Sequence, residues 1–196
     1  MARIATKKNL SRKDFILKKA SALFRQKGFA ASSMRELADL VGVEAPSLYN
    51  HIGSKNEMLQ SICFKVANAF NEHLQQVRQS CEPYAGKIEQ VIRFHIRIML
   101  DSFDEVYVAN HEWKQLEDPL LSNFLHQRKA YENALAAMIE EGIRAKEFRK
   151  LNPHLAVLTI LSAVRGVEAW LRHRKNIKEA DLENNIIEQL LHGLIK

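Results

Sequence analysis

Apolar residues recur along this chain at three- and four-residue intervals, the spacing of one face of an α-helix, and seldom alternate as a strand requires. Phe15, Ile16, Ala20, Leu23 and Phe24 form a first stripe. It starts behind Ser11, which is placed to cap a helix with Asp14 answering three residues later, and Gly28 stops it. Ser32 or Ser33 caps a second helix, with Glu36 in the capping-box position for Ser33; Leu37, Ala38 and Val41 face inward and Gly42 turns the chain. A short third helix is expected from about Glu44 to His51, with Pro46 tolerated in its first turn. Ser54 and Glu57 then launch a long fourth helix whose apolar positions, from Met58 and Leu59 to Leu74 and Val77, continue almost to Pro83. Five more helices are expected over about 84–102, 106–115, 118–145, 152–174 and 178–195. Asp118-Pro119 and Asn152-Pro153 supply two of the start signals, and Gly142 and Gly166, inside helical patterns, suggest close packing. The pattern predicts an all-α chain of about nine helices, without an internal repeat.

Residues 33–52 have the grammar of a helix-turn-helix: a helix, a glycine turn, then a short second helix of the kind that sits in a DNA major groove. Charge sharpens that picture. Residues 1–60 hold 11 Lys/Arg against 5 Asp/Glu, whereas residues 61–196 hold 18 against 18, so the whole net charge of +6 sits on the motif-bearing segment. A polyanion rewards that asymmetry through counterion release; a merely solvated basic face is the plain alternative. A DNA-binding domain is expected over 1–57 and a second domain over 58–196, the fourth helix joining them without a flexible linker.

Two cysteines, Cys63 and Cys81, make no disulfide framework, which points to a reducing, cytoplasmic setting. No apolar run follows the basic start, and no stretch approaches the roughly 18 apolar residues of a membrane span. The eight histidines are scattered without ligand spacing, so neither a metal nor a cofactor is expected. No phosphate loop, nucleophile elbow or metalloprotease helix is present, which argues against an enzyme. Cys63 could instead serve a thiol-based redox sensor.

The run Ile16-Leu17…Ala20…Leu23-Phe24…Gly28-Phe29…Ser32-Ser33…Glu36-Leu37-Ala38…Gly42-Val43…Leu48-Tyr49…His51…Ser54-Lys55…Glu57…Leu59 resembles the amino-terminal signature of TetR-family regulators. The resemblance implies a homodimer on a partly palindromic operator in double-stranded DNA, with Tyr49, His51 and Lys55 contacting phosphates. Ser47 and Asn50 lie opposite the inward-facing Leu48 and could reach base edges, while Ser33 and Arg35 are further candidates for the DNA backbone. Ile52 departs conservatively from the usual Phe. Glu44, Ala45 and Pro46 depart more, since small and glycine residues are commoner there, and they change the surface shown to bases. Glu44 either caps its helix or accepts a hydrogen bond from a cytosine amino group.

Further on, Glu112-Trp113-Lys114-Gln115-Leu116, Arg128…Tyr131-Glu132 and Gly142…Glu147-Phe148 resemble the effector domain of the TetR branch controlling fatty-acid, steroid and acyl-CoA catabolism. That implies a small acidic, apolar effector, with a multidrug-type sensor as the alternative. A pocket among the helices at 84–102, 106–115, 118–145 and 152–174 would draw on Ile96, Met99, Leu100, Phe103, Trp113, Phe124, Tyr131, Leu135 and Trp170. Arg97, Arg128 and Arg165 interrupt apolar stripes; Arg128 and Arg165 either pair with Glu132 and Glu168 or anchor an acid. The last two helices carry stripes suited to a dimer interface: Leu155, Leu158, Ser162 and Gly166, then Ile187, Leu190, Leu191 and Leu194.

Overall fold

The computed structural model describes residues 11–50, 52–173 and 178–195. Among them lie nine α-helices: α1 Arg12–Lys27, α2 Met34–Val41, α3 Ala45–Tyr49, α4 Lys55–Gln79, α5 Tyr84–Asp101, α6 Phe103–His111, α7 Leu120–Arg144, α8 Pro153–His173 and α9 Glu179–His192. A single 3-10 turn, Trp113–Gln115, follows α6.

Local chemistry sets the first three helices. Ser11 accepts from the Asp14 N–H, and Gly28, at φ 83°, closes α1 by donating its N–H to the Phe24 carbonyl at 2.8 Å. Gly42 ends α2 in the left-handed region at φ 73°, where a side chain would be strained. Ile16, Ala20, Phe24, Leu37, Leu48 and Ile52 form the small amino-terminal core, each at most 2% exposed. It continues without a break through Met58, Leu59 and Ile62 into the core of the larger part. α4 packs on α1, α5, α6 and α7, and α6 returns to lie on α1. Arg25 of α1 forms an ion pair with Asp104 of α6 and rests over the Phe103 ring, so two helices besides the chain itself tie the amino-terminal unit down.

Several boundaries move. α6 begins at Phe103, not near 106, and its expected tail to 115 splits off as the 3-10 turn. α7 begins at Leu120, one residue beyond Pro119, with the Asp118 carboxylate accepting from the Ser122 N–H at 3.0 Å. α9 stops at His192, because Arg149 donates its N–H to the Leu194 carbonyl at 2.9 Å and pins the following residues beside Phe148. Gly142 is required by packing: a Cβ there would stand 3.0 Å from Tyr84 Cβ and closer still to the Phe148 ring. Gly166 is not, since a Cβ there meets nothing within 4 Å.

α8 packs one face inward through Val157, Ile160, Leu161, Val164 and Val167. Its opposite face leaves Leu155 and Leu158 each 61% exposed, with Ser162 and Gly166 exposed beyond them. Contrary to expectation, its Pro153–Leu171 segment has the length and mean hydropathy (1.3) of a membrane-crossing helix. On α9 and just beyond it the apolar stripe is used differently: Ile187, Leu191 and Leu194 are buried within the chain itself and Leu190 is half-buried. Three of the four residues expected at an interface there are thus already covered.

Candidate nucleic-acid interface and ligand cavity

Capping bonds hold the start of α2. Ser33 Oγ accepts from the Glu36 N–H at 3.2 Å, and the Glu36 carboxylate accepts from the Ser33 N–H at 3.0 Å. Lys27 also pairs with Glu36; that contact first, then the bonds from Ser33, holds the Glu36 carboxyl below its ordinary range. Arg35 is exposed beside this cap. On α3, Leu48 is fully buried and fixes the helix, which leaves Tyr49 (49% exposed) and Asn50 on the surface. Ser47 is half-buried, and half-buried Ala45 packs against the core. His51, an expected phosphate contact, lies outside the described residues.

Lys55 is held by its own chain. Its ammonium donates to the Phe29 carbonyl at 2.7 Å, the Ser32 carbonyl at 2.8 Å and, more weakly, the Ala30 carbonyl at 3.4 Å, and it lies 4.3 Å from the centre of the Phe29 ring. An ammonium has three donors, and these carbonyls engage all of them. The cation in the first turn of α4, disfavoured by the helix dipole, is compensated from the α1–α2 turn. Lys55 therefore fastens the start of α4 to the helix-turn-helix.

The larger part holds a half-open, mostly apolar cavity of about 80 Å³. On the same measure one water needs about 10–15 Å³, so the space suits a small organic group. Met99, Phe124, Arg128 and Tyr131 line it as expected. Phe103, Trp113, Leu135 and Trp170 do not: Phe103 is drawn to Arg25, Leu135 is fully buried in the core, and Trp113 lies behind Phe124, with ring centres 6.5 Å apart. The sequence reading missed the wall supplied by α4, namely Val66, Ala67, Phe70 and Asn71, together with His95 of α5 and Asn110 of α6. The available signal was polar Asn71, His95 and Asn110 interrupting apolar stripes.

Two arginines reach this cavity, Arg128 and Arg165, and among the described residues neither has a carboxylate within ion-pair distance. Glu132 lies near Lys129 at 3.9 Å and Glu168 pairs with His111 at 2.9 Å, so the expected Arg128–Glu132 and Arg165–Glu168 bridges do not form. Burial, and then repulsion from Arg165, lowers the Arg128 pKa, with Glu132 partly opposing. The Arg128 guanidinium instead sits 5.8 Å from the ring centres of both Trp113 and Phe124. Arg97 is a surface residue, 62% exposed and 3.4 Å from Glu183.

His95 and Tyr131 share a hydrogen bond of 2.7 Å inside the cavity wall, and the imidazole stacks on Phe70 with centres 4.2 Å apart. Burial, reinforced by His73 and Arg165, pushes the His95 pKa down from 6.5 to about 3, and burial raises that of Tyr131. The neutral imidazole therefore stabilises the fold at pH values above about 6.5, and that contribution is lost as pH falls towards 3, by at most about 1.4 kcal/mol per unit. The thermal midpoint of the wild type should fall more across this window than that of His95→Gln, which keeps a polar partner for Tyr131 without titrating there. Equal slopes would exonerate His95. Cys63 is fully buried, and burial, only partly offset by Arg128, raises its thiol to about 12, so the thiolate a redox sensor needs is not at hand. Among the described residues no group of three His, Cys, Asp or Glu gathers as a metal site.

A capped, basic helix-turn-helix fastened to a helical domain with an apolar cavity has the architecture of a bacterial DNA-binding transcription regulator. Residues 16–62 match the family described as "Bacterial regulatory proteins, tetR family", and residues 81–194 match the "Tetracyclin repressor-like, C-terminal domain". The chain belongs to the TetR family. It is 35% identical over 185 residues to the HTH-type transcriptional repressor KstR2 of Rhodococcus jostii (strain RHA1), covering 93% of this chain and 91% of that protein. The structure of the ketosteroid transcriptional regulator KstR2 of Mycobacterium tuberculosis superposes with a TM-score of 0.88 at 21% identity, covering 99% of this chain and 100% of that one. AibR, in complex with isovaleryl coenzyme A and operator DNA, superposes at 0.81 with 20% identity over 92% of this chain and 98% of its own.

Proposed function

We propose that this protein is a dimeric repressor that binds a partly palindromic operator and is released by a small acidic, largely apolar molecule, of which an acyl-CoA is the leading example. In this reading residues 1–57 read DNA and residues 58–196 bind the effector and the second subunit. The observation that carries it is the pair Arg128 and Arg165, neither ion-paired although Glu132 also lines the wall, beside a mostly apolar cavity. A desolvated cation without a counter-ion is costly, and an anionic ligand supplies the missing charge. The relatives support the same chemistry, since AibR was captured with isovaleryl coenzyme A and with operator DNA. At about 80 Å³ the cavity suits a short acyl group, which leaves the rest of a CoA ester towards the exposed Arg165.

Release requires that the ligand bind the DNA-incompetent arrangement more tightly, and only that difference shifts the equilibrium. α4 is the element through which it would act, because Val66, Ala67, Phe70 and Asn71 touch the cavity while Lys55 grips the helix-turn-helix. The test is a thermal-shift screen of free acids and their CoA esters, followed by operator release with each hit. The expected result is an acid or ester that both raises the midpoint and frees the DNA. If cationic drugs did both and no acid or ester did either, the cavity would belong to a multidrug-type sensor.

A further inference from the structure

The helix-turn-helix carries net positive charge, and most of its carboxylates are occupied. Asp14 accepts from Ser11, Glu36 from Ser33 and Lys27, and Glu57 from the Gly53 N–H at 2.9 Å. Each secures the start of a helix. Glu44 occupies the equivalent place, the cap position immediately before α3, with the extended backbone (φ −71°, ψ 145°) that a capping residue adopts. Yet its side chain makes no capping bond, it is exposed, and among the described residues it has neither an ion-pair nor a hydrogen-bond partner. The sequence left two roles open for this residue, and the structure removes the capping one.

What remains is a free carboxylate at the leading end of the helix that enters the major groove. In a helix-turn-helix the first residues of that helix meet base edges. A carboxylate there is repelled by every phosphate, so it lowers general affinity for DNA, and it is compensated only by a donor on a base. Two bases show a donor in the major groove, cytosine through N4 and adenine through N6; adenine sets its N7 lone pair beside that amino group, where it repels a carboxylate, so cytosine N4 is the donor that suits Glu44. Neighbouring side chains do not compete for that contact: Ala45 has no polar group and packs inward, and Pro46 has no N–H.

We propose that Glu44 is a specificity-determining residue that selects a cytosine at one position of each operator half-site by accepting a hydrogen bond from its N4 amino group, while its charge discourages binding elsewhere. This rests on the operator-binding reading above, and the experiment separates the two.

Full-length wild type, Glu44→Ala and Glu44→Gln are each put through selection from randomised duplexes, followed by binding to the selected site and to mixed-sequence DNA over a range of salt. Wild type should select a palindrome with cytosine at one symmetric pair of positions. Glu44→Ala should lose about tenfold or more of the preference at that pair, keep the rest of the site, and bind mixed-sequence DNA more tightly. Glu44→Gln should shift the preference towards adenine, whose N6 and N7 suit a carboxamide. Because the side chain is exposed and caps nothing, both variants should melt with the wild type. A Glu44→Ala profile identical to wild type at every position overturns the proposal while leaving the regulator intact. A wild type that selects no palindrome overturns both.

Discussion

Leu155→Glu/Leu158→Glu protein should run as a folded monomer where the wild type runs as a dimer, and its operator affinity should fall by about two to three orders of magnitude. Both leucines are 61% exposed on a face of α8 that its own subunit leaves bare. Ser162 and Gly166 continue that face, and Gly166 meets nothing of its own subunit, so the space a missing Cβ provides is free for a partner's helix. Carboxylates placed inside an apolar interface cost several kcal/mol unless they are paired. A dimer that has come apart also loses the gain from tethering two DNA-reading units, typically 10²–10⁴. Light scattering together with operator titration checks both parts. A double variant that stayed dimeric with unchanged affinity would move the interface off α8, and a wild type that partitioned into lipid vesicles as a monomer would give its apolar face another explanation.

Arg128→Met should make the unliganded protein more stable and deaf to its effector. Methionine keeps the long apolar stem that packs on Trp113 and Phe124 but removes a cation that is partly desolvated and repelled by Arg165. The cation–π attraction that the substitution removes is worth about 0.5–1 kcal/mol per ring at exposed sites. The expected sign rests on the burial of the guanidinium and its repulsion from Arg165 together outweighing that attraction. Charged hydrogen bonds contribute about 1.5–3 kcal/mol, so affinity for an acidic ligand should fall roughly 10- to 100-fold. The methyl ester of the same acid should bind both proteins alike. A variant that melts earlier and still responds to the acid would place the anion elsewhere.

Much of the fold was legible because its signals are local. The Ser11/Asp14, Ser33/Glu36 and Ser54/Glu57 pairs and the glycines at 28 and 42 act within one helical turn, and each marks a real helix end. What failed to read depended on distance along the chain. The hold on Lys55 could not be read because the carbonyls that engage it belong to residues 23–26 positions earlier. The stripes on α8 and α9 look alike in sequence, yet the structure buries Ile187, Leu191 and Leu194 and leaves Leu155 and Leu158 bare. For the cavity, the sequence found Met99, Phe124, Arg128 and Tyr131 but missed α4, whose Val66 and Ala67 look like any other core positions until α6 and α7 are folded against them.

Continuity between α4 and the DNA-reading unit also sets a mechanical scale. From Val66 at the cavity to Lys55 at the grip is 11 residues, or about 16 Å at 1.5 Å per residue. A tilt of about 10° about the cavity end carries the other end roughly 3 Å, and in the proposed dimer two-fold symmetry would double the change in separation to about 6 Å. Successive major grooves on one face of B-DNA lie about 34 Å apart, so such a displacement takes both recognition helices out of register. On the proposed reading, an acyl group only a few carbons long, lodged beside such a lever, is large enough to act as a switch.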